Sequence, residues 1–147
     1  MATEVTVTKD ELIAMAKACA TQHLLDPVLV CSVVEQESAW DTWAVRYEPA
    51  FQTRYIDPLN LSATETMCRS TSWGLMQVMG QTAYEAGFRA KAPTLLSPAL
   101  GLYWGCTVLA KKLRKAQNDV EKALLLWNGG ANKLYPAEVL ARMDTYK

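Results

Sequence analysis

Apolar positions along the chain recur at helical spacing. Leu12, Ile13, Ala16, Cys19 and Ala20, with His23 in the same register, follow one face of a first helix that Thr8 and Glu11 open as a capping box. A second helix starts at Asp26-Pro27, an N-cap followed by proline at the first helical position. Val28, Leu29, Val30, Cys31, Val33 and Val34 make it apolar nearly all round, the mark of a central, buried helix. Residues 39–61 are rich in Trp, Tyr, Phe, Asp and Pro without a sustained period and predict a long structured loop, after which Ser62 and Glu65 cap a short helix. Residues 73–79 and 82–86 read as short helical pieces, with Gly87 as a stop. Ser97-Pro98 begins the longest helix, through Leu100, Tyr103, Trp104, Val108, Leu109 and Leu113 to a basic end at Lys111, Lys112, Arg114 and Lys115. Asp119 caps a helix that Gly129-Gly130 ends, and Pro136 opens a last one to about Asp144. No repeat or low-complexity linker interrupts this pattern. The expected fold is mainly α, about seven helices in one domain over residues 1–147, with the long loop after the second helix.

Composition narrows the function classes. The chain has 147 residues, 50% hydrophobic and 20% charged, enough to bury about two-thirds of its extended surface in a core of its own. Fifteen Lys and Arg balance fifteen Asp and Glu, so there is no positive field to drive nucleic-acid binding by counterion release. Unbroken apolar stretches such as residues 27–31 fall far short of the roughly 20 residues that span a bilayer. The first eight residues have neither a basic patch nor an apolar run and do not read as a secretory signal. Extracellular work would then require another exit route or a leader. Cys19, Cys31, Cys68 and Cys106 lie far apart, with no Cys-x-x-Cys pair and His23 as the sole histidine. Free, buried thiols, a structural histidine, no zinc site and no cofactor are therefore expected.

Glu37 carries the candidate chemistry. Val30, Val33, Val34 and Glu37 fall on one helical stripe, so a carboxylate ends an apolar face where desolvation favours its neutral form. A carboxylic acid that stays protonated near neutral pH is what glycosidic cleavage needs, because the leaving oxygen must gain a proton as its bond to the anomeric carbon breaks. Glu35 points about 200° away around the helix and is no partner on that face. A second carboxylate, if one is used, would come from Asp41 one turn on or from Glu48 or Asp57 in the loop.

The ordered motifs Glu37-Ser38 at the end of a buried helix, Gly74-Leu75-Met76-Gln77-Val78, Thr82-Ala83, a Gly101-containing helix after Pro98, and Leu126-Trp127-Asn128-Gly129-Gly130 together resemble the lytic transglycosylases of the lysozyme-like superfamily, close to goose-type lysozymes. The resemblance implies a lysozyme-like fold and cleavage of the β-1,4 bond between N-acetylmuramic acid and N-acetylglucosamine in peptidoglycan. It puts Glu37 in the position of the single catalytic acid, which protonates the leaving oxygen and then activates the 6-hydroxyl of the sugar to give a 1,6-anhydro product. If water attacks instead, the same site is a muramidase with a second carboxylate such as Asp41 or Glu48.

The resemblance also implies substrate-binding positions, each with a plainer reading. Gln77 and Met76 would line the cleft, or form a short helix with Met76 in the core. Ser72 corresponds to a family serine, with Ser70 as a competitor. Asn128 would line the cleft floor or simply end a helix, and Tyr135 would approach the cleft or pack on the last helix. Two departures stand out. Trp127 replaces the family's tyrosine near the acid with an indole that donates but does not accept a hydrogen bond. The segment between Glu37 and Gly74 is long and carries Trp40, Trp43, Arg46, Tyr47, Glu48, Phe51, Arg54 and Tyr55. Aromatic faces stack on sugars, which makes Tyr47 and Glu48 candidate cleft residues. The expected partner is a peptidoglycan glycan strand, the expected state a monomer, and the expected setting a phage endolysin or tail-associated enzyme that reaches the cell wall after phage-mediated release. A non-catalytic murein-binding module is the alternative of a different class, favoured by Trp127 and opposed by Glu37.

Overall fold

The computed structural model describes residues 6–147. The five residues before them, part of the start read as non-secretory, lie outside the described residues. Eight α-helices occur among the described residues, namely α1 (Lys9–Gln22), α2 (Pro27–Ser38), α3 (Pro49–Phe51), α4 (Ala63–Arg69), α5 (Gly80–Glu85), α6 (Pro98–Lys115), α7 (Val120–Asn128) and α8 (Tyr135–Leu140). The fold is mainly α, and no described helix is long and apolar enough to cross a membrane.

Four helix starts lie where short polar side chains satisfy otherwise unpaired N–H groups. Thr8 accepts from Glu11 N at 3.2 Å, Asp26 from Val28 N at 2.9 Å, Ser62 from Glu65 N at 3.2 Å and Asp119 from Lys122 N at 3.1 Å. α2 is the centre of the molecule, with Leu29 through Val34 buried in succession. It packs against α1, against α8 and against a C-terminal 3-10 turn, Met143–Tyr146. α1 also packs on α6, α6 on α7, and α7 on α8. The surrounding helices thus close around α2, and the first described helix and the C-terminal turn both pack on it.

Two sequence expectations change. Residues 73–79 are not helical: Thr71–Trp73 is a strand, Val78–Met79 is another, and the turn between them joins a hairpin. The long loop contributes a third strand, Val45–Tyr47, giving an antiparallel sheet in the order β1 (Val45–Tyr47), β2 (Thr71–Trp73), β3 (Val78–Met79). Its register pairs Val45 with Trp73, Arg46 with Ser72 and Tyr47 with Thr71. After β1 the loop winds through α3 into a π-helical turn, Gln52–Ile56, and a 3-10 turn, Asp57–Leu59. Ile56, fully buried, anchors this excursion.

Gly74 explains why the hairpin displaces a helix. Its φ is +72° and an added Cβ would stand 2.6 Å from the Leu95 carbonyl oxygen, so only glycine makes the turn. Its N–H donates to Ala44 O at 2.8 Å, tying the turn to the approach of β1. Leu75 and Met76 then plunge into the core, where Met76 packs on Gly105 of α6.

Candidate active site

Glu37 lies in the last turn of α2, and the chain beyond it decides which way it faces. Ala39 and Trp40 both take left-handed backbone, φ +49° and +66°, which ends the helix abruptly and folds Trp40 inward. The buried Trp40 indole donates to Tyr146 Oη at 2.8 Å, and that hydroxyl donates to Glu35 Oε1 at 2.7 Å. Arg142 donates to Glu35 at 2.7 Å and to Gln36 at 2.8 Å, while Gln36 donates to Glu138 at 2.9 Å. The two residues before Glu37 are thereby fastened to the C-terminal segment and to α8, consistent with Glu35 facing away from the Glu37 side.

Glu37 meets α7 and α8. Its Oε1 accepts from Trp127 Nε1 at 3.0 Å and from Tyr135 Oη at 2.5 Å. No buried side-chain oxygen lacks a partner among the described residues, so Oε2, which has no protein donor there, is the oxygen open to solvent. Burial raises the Glu37 carboxyl above its ordinary range, opposed by the hydrogen bonds of Tyr135 and Trp127 and by the positive charge of Arg46. The result is an acid whose proton is held by desolvation and whose anion already has two donors aimed at it. Burial and the adjacent carboxylate push the Tyr135 phenol up, so it serves as a donor. Glu35 shows the opposite balance: the Tyr146 hydroxyl and then Arg142 hold it below the usual carboxylate range.

The remaining sequence-predicted residues divide. Trp127 and Tyr135 converge on Glu37. Ser72 stands opposite Arg46 across β1 and β2, and directly paired residues project from the same sheet face, so it shares the face of the cation that bears on Glu37. Its competitor Ser70 is buried, with its hydroxyl donating to Thr66 O at 2.7 Å as a helix-end tie. Gln77, with φ +49°, uses its amide nitrogen on Ala44 O and Gly74 O, both at 3.0 Å, and so braces the hairpin. Met76 is a correction: its side chain is fully buried against α6 and lines no open cleft. Tyr47 projects from the sheet face opposite Arg46 and hydrogen bonds Gln52. Glu48 pairs with Arg46 at 2.9 Å, and Asp41 accepts from Trp43 N at 2.9 Å, so both carboxylates have local partners. Asn128 donates to Asn132 O at 3.3 Å inside the α7–α8 connection. Trp43, Val45 and Tyr47 are exposed along the β1 edge.

Sequence reasoning missed the Trp40–Tyr146–Glu35–Arg142 network and the role of Arg46. It also expected four buried thiols and no metal-ligand set. Cys19 and Cys68 are half-buried, and Cys19, His23 and Cys106 come together across α1 and α6.

The family described as the transglycosylase SLT domain matches residues 14–142. A protein of Enterobacteria phage PRD1 named "Transglycosylase" is 29% identical over 135 residues, covering 86% of this chain. The chain spans 41% of that relative's length. No solved structure matches the chain.

Proposed function

The chain belongs to the transglycosylase SLT domain family, and on that premise we propose that it cleaves the β-1,4 bond between N-acetylmuramic acid and N-acetylglucosamine by lytic transglycosylation. Glu37 is the acid and then the base. One observation carries the reading: Glu37 is raised by burial, engaged by two donors on Oε1, and open on Oε2.

Protonated Glu37 gives its Oε2 proton to the glycosidic oxygen as the bond to the muramic anomeric carbon breaks. The positive charge that develops on the sugar is shared by its own N-acetyl group. The carboxylate left behind is stabilised by Trp127 and Tyr135, and it takes the proton of the sugar's 6-hydroxyl as that oxygen closes on the anomeric carbon. The products are a 1,6-anhydro-muramic end and a free N-acetylglucosamine end, and Glu37 is again protonated.

Intramolecular attack is favoured over hydrolysis by the charge environment. The ionised group that bears on Glu37 is the Arg46 cation, whereas Asp41 and Glu48, the acids that could position a water, are committed to Trp43 N and Arg46. The Tyr135 hydroxyl brings back beside Glu37 the phenol that Trp127 replaces in the motif, which supports catalysis rather than a binding-only module. The exposed Trp43 ring is suited to stacking on a glycan strand, and the cell-wall glycan of a phage host is the proposed target.

Purified protein should release soluble muropeptides from peptidoglycan with 1,6-anhydro ends by mass spectrometry. Glu37→Gln should abolish release with its circular dichroism unchanged. Reducing muramic ends would point to hydrolysis, and full activity in Glu37→Gln would overturn the assignment of the acid.

A further inference from the structure

A second cluster of reactive side chains lies at the far end of α2 from Glu37. Helical rise separates Pro27 from Glu37 by about 15 Å, and α1 ends just before Pro27. There, Cys19 and His23 stand one turn apart on α1, and Cys106 projects toward them from α6. One ligand atom from each lies within 4.8 Å of the other two.

The geometry is near that of a coordination sphere. A tetrahedral zinc ion with its usual bonds to sulfur and nitrogen sets neighbouring ligand atoms about 3.6–3.8 Å apart. Cys19 Sγ is 3.7 Å from His23 Nδ1, so that pair is already at the required spacing. Closing the set asks less than about 1 Å of movement, within rotamer adjustment at the half-buried Cys19 and His23.

The imidazole also has a tautomer suited to ligation. Its Nε2 is 3.2 Å from Thr107 Oγ1, and Thr107 donates its single hydroxyl proton to Tyr103 O at 2.8 Å. Thr107 therefore offers an acceptor to an Nε2–H tautomer, in which Nδ1, beside the Cys19 sulfur, is free to bind a cation. In the metal-free chain Nδ1 stands 2.8 Å from the Cys19 carbonyl oxygen, the distance of a hydrogen bond that an Nδ1–H tautomer donates, so metal binding exchanges that bond for the one from Nε2–H to Thr107. The Tyr103 ring meets the imidazole edge-on at 5.1 Å and 72°, fixing its plane. A ligating histidine whose other nitrogen donates outward in this way is the usual arrangement around a bound metal.

We propose that Cys19, His23 and Cys106 form a binding site for a thiophilic d10 cation, with zinc(II) the ion taken. Two thiols release their protons to solvent on binding. The resulting centre of one dication, two thiolates and a neutral imidazole carries no net charge, which suits its half-buried position. The open side at Cys19 and His23 admits the ion and leaves the fourth position to water. Bound zinc pins the end of α1 to α6 and leaves Glu37 untouched, so the proposal stands apart from the glycan-cleaving assignment.

The test uses the full chain, reduced and stripped of metal, titrated with zinc and with cobalt(II) as a spectroscopic probe. One equivalent should bind, cobalt should develop thiolate charge-transfer absorption with tetrahedral visible bands, and zinc should raise the thermal midpoint. Cys19→Ser should lose most of the thiolate absorption and at least about tenfold in zinc affinity, while Cys68→Ser keeps both. Thr107→Val should weaken zinc by about 10- to 100-fold. Because Cys106 is fully buried and its substitution risks the fold, the half-buried Cys19 and the Thr107 variant decide the matter. Absence of stoichiometric binding, or undiminished affinity in Cys19→Ser, overturns the proposal.

Discussion

Tyr135→Phe isolates one of the two donors on Glu37. The Tyr135 ring is 4% exposed and packs at the α7–α8 junction, so phenylalanine keeps the packing and removes only the hydroxyl that reaches Glu37 Oε1 at 2.5 Å. A hydrogen bond to an ionised group is worth about 1.5–3 kcal/mol. Trp127 Nε1 keeps its own bond to the same oxygen at 3.0 Å, which places the loss toward the lower end, about 1.5 kcal/mol or roughly tenfold. The effect falls on the anion, because the Tyr135 bond lowers the Glu37 carboxyl against the burial that raises it. Two changes follow with fixed signs. Glu37 remains protonated to higher pH, so the alkaline limb of kcat/KM moves upward. Proton donation yields a less stable carboxylate, so the plateau rate at low pH falls by about tenfold. The assay is initial release of soluble muropeptides across the pH range, with circular dichroism and thermal melting as fold controls. A variant that is slower but keeps its alkaline limb in place, or moves it to lower pH, refutes the claim that Tyr135 acts on Glu37.

Three further outcomes rest on the same contacts. Glu37→Gln retains an acceptor for Trp127 and Tyr135 while removing the cost of ionising a buried acid. The folded chain holds the Glu37 proton over a window in which the unfolded chain has released it, so parental stability falls as pH rises from the ordinary carboxylate range through the raised folded value. The thermal midpoint of the variant should gain on the parent from acid to neutral pH, and a gain independent of pH counts against the burial effect. Glu35 behaves inversely, since its lowered carboxyl stabilises the fold above the ordinary range and ceases to as pH falls through the folded value. Glu35→Gln should cost about 1–2 kcal/mol at neutral pH in urea melts, narrowing in acid. Gly74→Ala must place a side chain at φ +72° and 2.6 Å from Leu95 O, which should lower stability by at least about 1–2 kcal/mol; an unchanged urea midpoint would show that the hairpin tolerates another backbone.

What was legible in the sequence is what the chain encodes locally. The four capping side chains bond within three residues of themselves, so Thr8, Asp26, Ser62 and Asp119 mark true helix starts. The small sheet was not legible, because strands of two or three residues hold no period to detect. Leu75 and Met76 looked like a helical face, whereas the positive φ of Gly74 and Gln77 on either side of them excludes a helix. The Cys19, His23 and Cys106 set escaped for a different reason: spacing along a chain does not register a thiol arriving on another helix.

Glu37 itself is conspicuous as a carboxylate ending an apolar stripe, but the setting of its carboxyl depends on donors 90 and 98 residues away. Tyr135 has a buried ring and a hydroxyl that reaches the Glu37 carboxyl. A buried tyrosine must find a partner for its hydroxyl, so the strength of that signal lay in burial, which sequence alone did not supply. The same contact reinterprets Trp127. Read within its motif, an indole in place of a tyrosine removes a hydroxyl from the neighbourhood of the acid. In three dimensions the indole donates one hydrogen bond, the hydroxyl of Tyr135 donates the other, and both go to Oε1, leaving Oε2 free to hold the proton that the glycosidic oxygen receives in the proposed reaction.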